Sequence, residues 1–410
     1  MTAPPVSVVV VSRDRPDALM RCLTGLAQVQ FAPFEIVVVA DAPGRDAVAE
    51  LPFVDDLKVV PFEAPNISEA RNLGISHAAG DVIAFIDDDA VPEPRWLTHL
   101  IAPFARADVA ACGGFVRGRN GISFQWTARS IDETGAPQPL DVDPERATVL
   151  KPKGSRAVKT EGTNMAVRRD VLVALEGFDP GFAFYLDETD LNLRLARAGH
   201  ATAIVPMAEV HHGFAASPRR RADRVPRDLF DIGASWAVFQ RKYLPEADRA
   251  EHWRDIVAAE RKRCLVHMVA GRLVPGEVTR LLQRLRDGYA EGLERQCGGA
   301  QLSRSPATPF KAGFGQPRKN TMLAGRIWQG KRLRKEAALR VTEGEIVTLF
   351  LLSPTAFYHR IRFDRDGFWE HRGGLFGRSD RDDPLFTPWR FSRRIAHERR
   401  RIAGRRCESG

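Results

Sequence analysis

The sequence predicts an α/β fold with a mostly parallel sheet flanked by helices, and three observations carry that prediction. Val6 to Val11 is an almost unbroken β-branched run, the composition of a strand buried on both faces. Further apolar runs alternate with segments whose leucines recur at helical spacing, the pattern of βαβ units. Two of these runs stop abruptly in carboxylates, at Asp41 and at Asp87-Asp88-Asp89. Ligands of such sheets bind outside the carboxyl ends of the strands, so both sets of acids fall where a site belongs.

The elements follow in order. After the first strand, the breaker Pro16 opens a helix over Asp17 to Val29, with Leu19, Cys22, Leu23 and Leu26 on one face. Glu35 to Ala40 reads as the second strand and Lys58 to Phe62 as the third. Ser68 to Ala79 reads as a helix with Ser68 at its N-cap. Val82 to Ile86 and Val109 to Val116 are further strands, whereas Arg117 to Lys159, rich in Pro, Gly and Asp, shows no period. Val171 to Leu175 and Thr189 to Ala198 read as helices, and Ala201 to Pro206 as a strand. From Pro226 to Gln296 the pattern is helical and amphipathic, with Val278, Leu281, Leu282 and Leu285 as one apolar stripe. The chain thus divides into an α/β domain over 1–225 and a helical extension over 226–297. A stretch of linker composition over 298–320 precedes a basic region over 321–410, with one strand at Ile346 to Leu352 and an Arg-rich terminal helix.

At 410 residues and 44% hydrophobic content the chain has ample material for a core. Its five cysteines are scattered with no CxxC pair, which argues against a disulfide scaffold or zinc site and fits a reducing cytoplasm. The N-terminal apolar run is too short for a signal peptide, and no window is long and apolar enough to span a bilayer. A cytoplasmic protein is expected. The net charge of +9 is unevenly spread: residues 301–410 hold 24 Lys and Arg against 11 Asp and Glu. The basic character therefore belongs to the C-terminal part.

Three adjacent acids at a strand end repel one another and lose hydration, so something positive must compensate them. A hard divalent cation shared with phosphate oxygens is the natural candidate. Alternation along an extended segment sends Asp87 and Asp89 to one side and Asp88 to the other. The second acid cluster, Asp187-Glu188-Thr189-Asp190, opens a helical pattern. There the carboxylates favour the helix N-terminus, or one serves as a general base. Asp190 is expected to cap or to pair with Arg194.

In combination, SVVVVSRDRPDALMRCLTGL, EIVVVADAP, NISEARNLGISHAAGDVIAFIDDDAVPEPRWL, EGTNMAVRRDVLVALEGFDPGFAFYLDETDLNLRLARAG and AEVHH resemble a family 2 glycosyltransferase of the GT-A fold. The resemblance spans residues 5 to 215. It implies a nucleoside diphosphate sugar donor, a glycan or lipid-linked acceptor, and a divalent metal, Mn²⁺ or Mg²⁺. By the same resemblance, Ser12, Arg13 and Asp41 would contact the nucleoside, and Arg71 and Asn72 would face the diphosphate. Asp87 and Asp89 match the outer acids of the family's DxD and would serve ribose and metal, with Asp88 beside the nucleotide. Gly162, Thr163 and Asn164 would line the donor sugar and acceptor. Of the vicinal histidines His211 and His212, His211 is assigned as a metal ligand, and Arg219 to Arg221 would close over a diphosphate. The family places a base at the second acidic position, held here by Glu188. The family's usual Glu-Asp order is reversed, so Glu188 and Asp187 both remain candidates. One base without a second nucleophile implies inversion at the anomeric carbon.

Two other functions stay open: a catalytically inactive sugar-nucleotide or glycan-binding module, and a nucleotidyltransferase, which the absence of glycines in SRDRPDAL disfavours. At the C-terminus, Trp389, Phe391 and Ile395 interleave with arginines. That segment is expected either to lie on an anionic membrane surface, to be a solvated or docked helix, or, less in keeping with its lack of nucleic-acid signatures, to bind nucleic acid.

Overall fold

The computed structural model describes residues 3–213 and 215–407. The class read from the sequence holds: a mixed, mostly parallel sheet with helices on both faces. Val6–Ser12 is an inner strand, parallel to Phe34–Ala40 on one side and to Val82–Asp87 on the other. Chain order reverses at this point, which opens a crevice at the strand ends. The register sets Val11 opposite Asp87 and Ser12 opposite Ala40, so residues 12–15, Asp41 and the acid triplet share one edge. Met165–Arg168 inserts antiparallel between Val82–Asp87 and Val109–Arg117, and Ala201–His212 runs parallel to the latter.

The period-two pattern splits the core into two layers. Val8 and Val10 join Leu19, Leu23 and Trp96 on one face, and Val9 joins Ile75, Phe85 and Leu191 on the other. Both layers exclude water almost completely, which is what an unbroken β-branched strand requires.

Several boundaries move, each for a physical reason. The helix Ile67–His77 is capped by Asn66, whose side chain accepts from the Glu69 N–H at 3.2 Å. Ser68, the expected cap, instead donates its hydroxyl to the Phe182 carbonyl at 2.7 Å. The strand from Ala201 does not stop at Pro206 but continues to His212. The pairing register shifts between Val205 and Glu209, and a proline is tolerated at such an irregularity. Arg117 to Lys159 contains short strands, three of which (Arg129–Ile131, Pro137–Pro139, Ala157–Lys159) form a small antiparallel sheet beside the crevice.

The helical stretch resolves into Phe230–Tyr243, Glu246–Val269 and Pro275–Glu294. The first and third cross closely enough that a side chain at Gly233 or Gly288 would strike backbone of the other helix. No described helix is long and apolar enough to cross a membrane. Residues 298–320 have almost no regular structure, but they are not free. Phe314 is buried against Phe34 and Phe53, at 5.5 and 5.9 Å between ring centroids. Ala307 N–H donates to the Ser76 carbonyl and Lys311 N–H to Glu35, both at 2.7 Å. The segment is a strap across the sheet.

Beyond it lies a second, four-stranded sheet, where the sequence pattern indicated one strand. Asn320–Arg326, Ile346–Ser353 and Trp369–Gly374 are parallel, and Arg360–Phe363 is antiparallel to the last. Gly330–Thr342 covers one face through Leu333 and Ala337, and the terminal helix Phe391–Arg406 covers the other through Ile395 and Ile402. Trp389, Phe391 and Ile395, the anchors expected at a membrane, pack against this sheet. They are therefore spent on intramolecular docking.

Candidate active site

A cavity of about 890 Å³ opens at the carboxyl edge of the large sheet. Asp87 closes the strand Val82–Asp87, accepts from the Thr163 hydroxyl and lies 3.4 Å from Arg71. Asp88 turns away from the cavity, as alternation requires. It is fully buried, accepts from Ser12 Oγ at 2.6 Å and pairs with Arg15 at 2.6 Å. Burial pushes its carboxyl up to about 7 against the pull of Arg15. Asp89 returns to the cavity side and accepts from Ala215 N–H at 2.7 Å, with His212 Nε2 at 3.1 Å and Arg15 at 3.4 Å. Burial alone would raise it, but His212, Arg15 and the backbone donor hold it well below the usual carboxylate range.

His212 bears on whether these acids could hold a cation. Its Nδ1 lies 3.0 Å from the side-chain oxygen of Gln125, so Nδ1 carries a hydrogen and donates it. That leaves Nε2 as the ring nitrogen that faces the Asp89 carboxylate, 3.1 Å from its oxygen. Oxygens of Asp87 and Asp89 and a ring nitrogen of His212 all lie within 4.8 Å of one another, a donor set suited to a divalent ion, with the imidazole favouring Mn²⁺ over Mg²⁺.

On the opposite wall, the helix Asp187–Arg197 is entered through Tyr185 and Leu186, both left-handed at φ 74° and 67°. Strain at two consecutive non-glycine residues is the sort of backbone that a site imposes. Asp187 forms a buried ion pair with Arg71, and Arg71 also reaches Asp87, so one guanidinium joins the two acid clusters. A side chain at Gly162 would overlap that guanidinium, which explains the glycine. Glu188 accepts from Lys159 Nζ at 2.7 Å. Burial pushes Asp187 up to about 7, with repulsion from Glu188 adding to it against the pull of Arg71. Burial would raise Glu188 too, but Lys159, then Asp187 and Arg71, bring it down to about 2. The two carboxylates are thereby made different, with the charge concentrated on Glu188.

Of the residues the sequence indicated, Ser12, Arg13, Arg71, Asp87, Asp89, Gly162, Thr163, Asp187 and Glu188 line the cavity. Four do not. Asp41 caps the helix Ala42–Ala49 and holds the Asp14 N–H at 2.7 Å, so it braces the rim from behind. Asn72 clamps the turn at Phe178 through two hydrogen bonds, and Asn164 is consumed by Trp96 and the carbonyls of Phe115 and Ala208. His211 is buried on Glu93 at 2.9 Å and tilts against Trp369, away from the acids. Vicinal residues on a strand face opposite ways, and since the strand continues to His212, it is His212 that meets Asp89. Of the three arginines, Arg220 approaches Asp89 at 3.8 Å, while Arg219 pairs with Asp231 and Arg221 with Asp223. Asp190 pairs with Arg194 at 2.8 Å as expected.

Sequence reasoning missed Arg15 and Lys159. The first had a signal, since an arginine in the short turn between the first strand and the helix at Pro16 stands close to the acid triplet. The second lies at the end of the aperiodic stretch, where nothing in the pattern assigned it a face.

Residues 4–229 match the model of a glycosyltransferase-like family 2. Similar curated proteins include an O-antigen biosynthesis protein, RfbC, of Myxococcus xanthus, 28% identical over 260 residues, covering 60% of this chain and 20% of that protein. A glucosyl-dolichyl phosphate glucuronosyltransferase of Haloferax volcanii is 26% identical over 194 residues, 42% of this chain and 56% of its own. The succinoglycan biosynthesis protein ExoM of Rhizobium meliloti is 39% identical over 104 residues, 23% of this chain and 33% of its own. The chain thus spans a fifth of the first of these relatives and about half of the second. Among solved structures, GalNAc-T7 with UDP, GalNAc and Mn²⁺ aligns with a TM-score of 0.45 at 18% identity, over 70% of this chain and 55% of that one.

Proposed function

The chain belongs to the glycosyltransferase-like family 2, and from that premise we propose that it transfers a sugar from a nucleoside diphosphate sugar to a hydroxyl of a glycan or lipid-linked acceptor. The observation that carries the proposal is Arg71, which ties Asp87 on one wall of the cavity to Asp187 on the other. It leaves Asp89 and His212 grouped at one end and Glu188 charged at the other. Residues 1–225 would form the transferase domain.

In this reading Asp87, Asp89 and His212 would hold a divalent metal, Mn²⁺ or Mg²⁺. When bound, the ion would neutralise charge on the diphosphate leaving group. Arg15 and Arg220, already facing Asp89, add positive charge where phosphates would lie. Ser12 and Arg13 form the nucleoside side of the rim, held in shape by Asp41 through Asp14. Thr163 orients Asp87, and Gly162 leaves room for Arg71.

Glu188 is the base. An acceptor hydroxyl is a poor nucleophile until a carboxylate near its oxygen takes the proton. Lys159 keeps Glu188 ionised and fixes one of its oxygens, with Asp187 as a second side-chain partner. Asp187 is committed to Arg71 and orients it. The reversed acid order is thus accommodated by two separate cationic partners. A single base with no second nucleophile supports inversion.

Turnover and donor binding separate the roles. Glu188→Gln is expected to bind donor as the wild type does while losing at least about a hundredfold in kcat. Retention of wild-type kcat in that variant would remove Glu188 from the chemistry. Product stereochemistry, read by proton NMR, is expected to be inverted.

A further inference from the structure

We propose that the carboxyl edge of the C-terminal sheet is a docking surface for an anionic lipid bilayer. Asn320–Arg326, Ile346–Ser353 and Trp369–Gly374 are parallel, so the loops that follow them emerge side by side. Those loops carry Trp328, Phe357, Tyr358, Leu385 and Phe386, which are 68, 72, 53, 64 and 60% exposed. The loops after Ile346–Ser353 and Trp369–Gly374 are physically joined: Gly374 N–H donates to the Phe357 carbonyl at 2.9 Å, and within the latter loop the Phe376 and Phe386 rings lie 5.5 Å apart. Scattered exposed apolar residues need no explanation, but here four of the six large exposed aromatic rings among the described residues sit on one sheet edge.

The charge on this edge complements an anionic surface. Lys331, Arg332, Arg381, Arg390 and Arg393 are all exposed around the rings. The helices Gly330–Thr342 and Phe391–Arg406 both begin here, which adds the positive ends of their dipoles. Of the nearby acids, Asp380 and Asp383 are already paired with Arg401, which leaves Asp382, exposed beside Arg381, against five cations. A soluble polyanion would use the cations and leave the rings in water. The bilayer interface takes both, with rings at the headgroup level and cations on the anionic lipids. These are not the anchors the sequence pointed to, since those pack inside.

The edge also adjoins the cavity. Arg381 Nε donates to Ser123 Oγ at 3.1 Å, and Gln125 and Trp126, just beyond, line the cavity wall. A bilayer resting on this edge would lie beside the cavity whatever reaction occurs there.

The test is cosedimentation of the full chain with vesicles of phosphatidylcholine and phosphatidylglycerol, compared with phosphatidylcholine alone. Wild type is expected to pellet with the anionic vesicles and to be released by salt. The triple variant Phe357→Ser, Leu385→Ser, Phe386→Ser should bind at least about tenfold more weakly. Removing Arg381, Arg390 and Arg393 should cost about fivefold for each arginine. Both variants should stay within a few degrees of the wild-type Tm, since the altered side chains are exposed and lose only the Phe376–Phe386 ring contact and the Arg381–Ser123 hydrogen bond. Trp328 supplies a second readout, a blue shift of emission on vesicle addition that disappears in Trp328→Phe. The proposal is overturned if wild type stays in the supernatant at low salt, or if the serine variant pellets as wild type does. It is equally overturned if heparin binds as tightly as the anionic vesicles and does so without regard to the rings.

Discussion

Lys159 decides how the acid pair at residues 187 and 188 behaves. Glu188 is ionised because an ammonium 2.7 Å away outweighs the penalty of burial. Removing that ammonium takes away the largest influence opposing burial and leaves only Asp187 and Arg71 against it, so Lys159→Met should raise the Glu188 carboxyl toward the ordinary carboxylate range. As a general base works only when deprotonated, activity should then fall on the acid side at a higher pH than in wild type. The check is a kcat/KM profile from acid to neutral pH. The acid limb should move upward in Lys159→Met and stay near wild type in Lys159→Arg. An unmoved limb would mean that Lys159 does not set the base. This residue could not be assigned from sequence, because its role depends on a pairing across the fold and it sits in a stretch without period. The carboxylates it serves were legible, since acids at strand and helix ends need only local pattern to be noticed.

At the scale of elements, the parallel core was legible because both of its faces are buried and its strands are continuous apolar runs. The strap at residues 298–320 was not. Its prolines, glycines and serines read as a linker, and only the contacts of Phe314 with Phe34 and Phe53 reveal that it is anchored. Phe314→Ala should therefore destabilise the protein by about 3 kcal/mol, the cost of emptying a buried aromatic site. Urea denaturation measures it, and a loss below about 0.5 kcal/mol, the level of an ordinary surface change, would mean the strap is loosely held. The C-terminal sheet escaped notice for a related reason. Trp369–Gly374 is short and rich in polar residues and glycine, so only its pairing with Ile346–Ser353 makes it a strand. The strand Ala201–His212 shows the reverse error. A proline that ordinarily ends a strand sits at an irregularity, and the strand carries on to deliver His212.

For the molecule as a whole, the terminal helix is tied to the α/β core by a buried latch. Arg406 makes a two-pronged pair with Glu93, at 2.6 and 2.9 Å, and also donates to Thr348 Oγ1 and His371 Nε2. Glu93 in turn holds His211, the neighbour of the residue that meets Asp89. Against the burial that would raise it, Arg406 keeps the Glu93 carboxyl well below its ordinary value. That pair therefore contributes stability above the unfolded carboxylate range, lost as pH falls through the lower folded value. Arg406→Met strands a buried charge and should cost about 3–5 kcal/mol near neutral pH. The double variant with Glu93→Gln should recover part of that loss. Equal losses in the single and double variants, read by chemical denaturation, would show that the latch is not an interacting pair.

The central claim is a metal-dependent donor site built on Asp87, Asp89 and His212. Isothermal titration of a panel of nucleoside diphosphate sugars, with Mn²⁺, with Mg²⁺ and with chelator, tests it most directly in wild type and Asp89→Asn. One donor is expected to bind with metal present, and to lose at least about a hundredfold in affinity on chelation or in the variant, as expected when a metal–phosphate contact is removed. A donor that binds equally well with chelator and in Asp89→Asn would contradict the account.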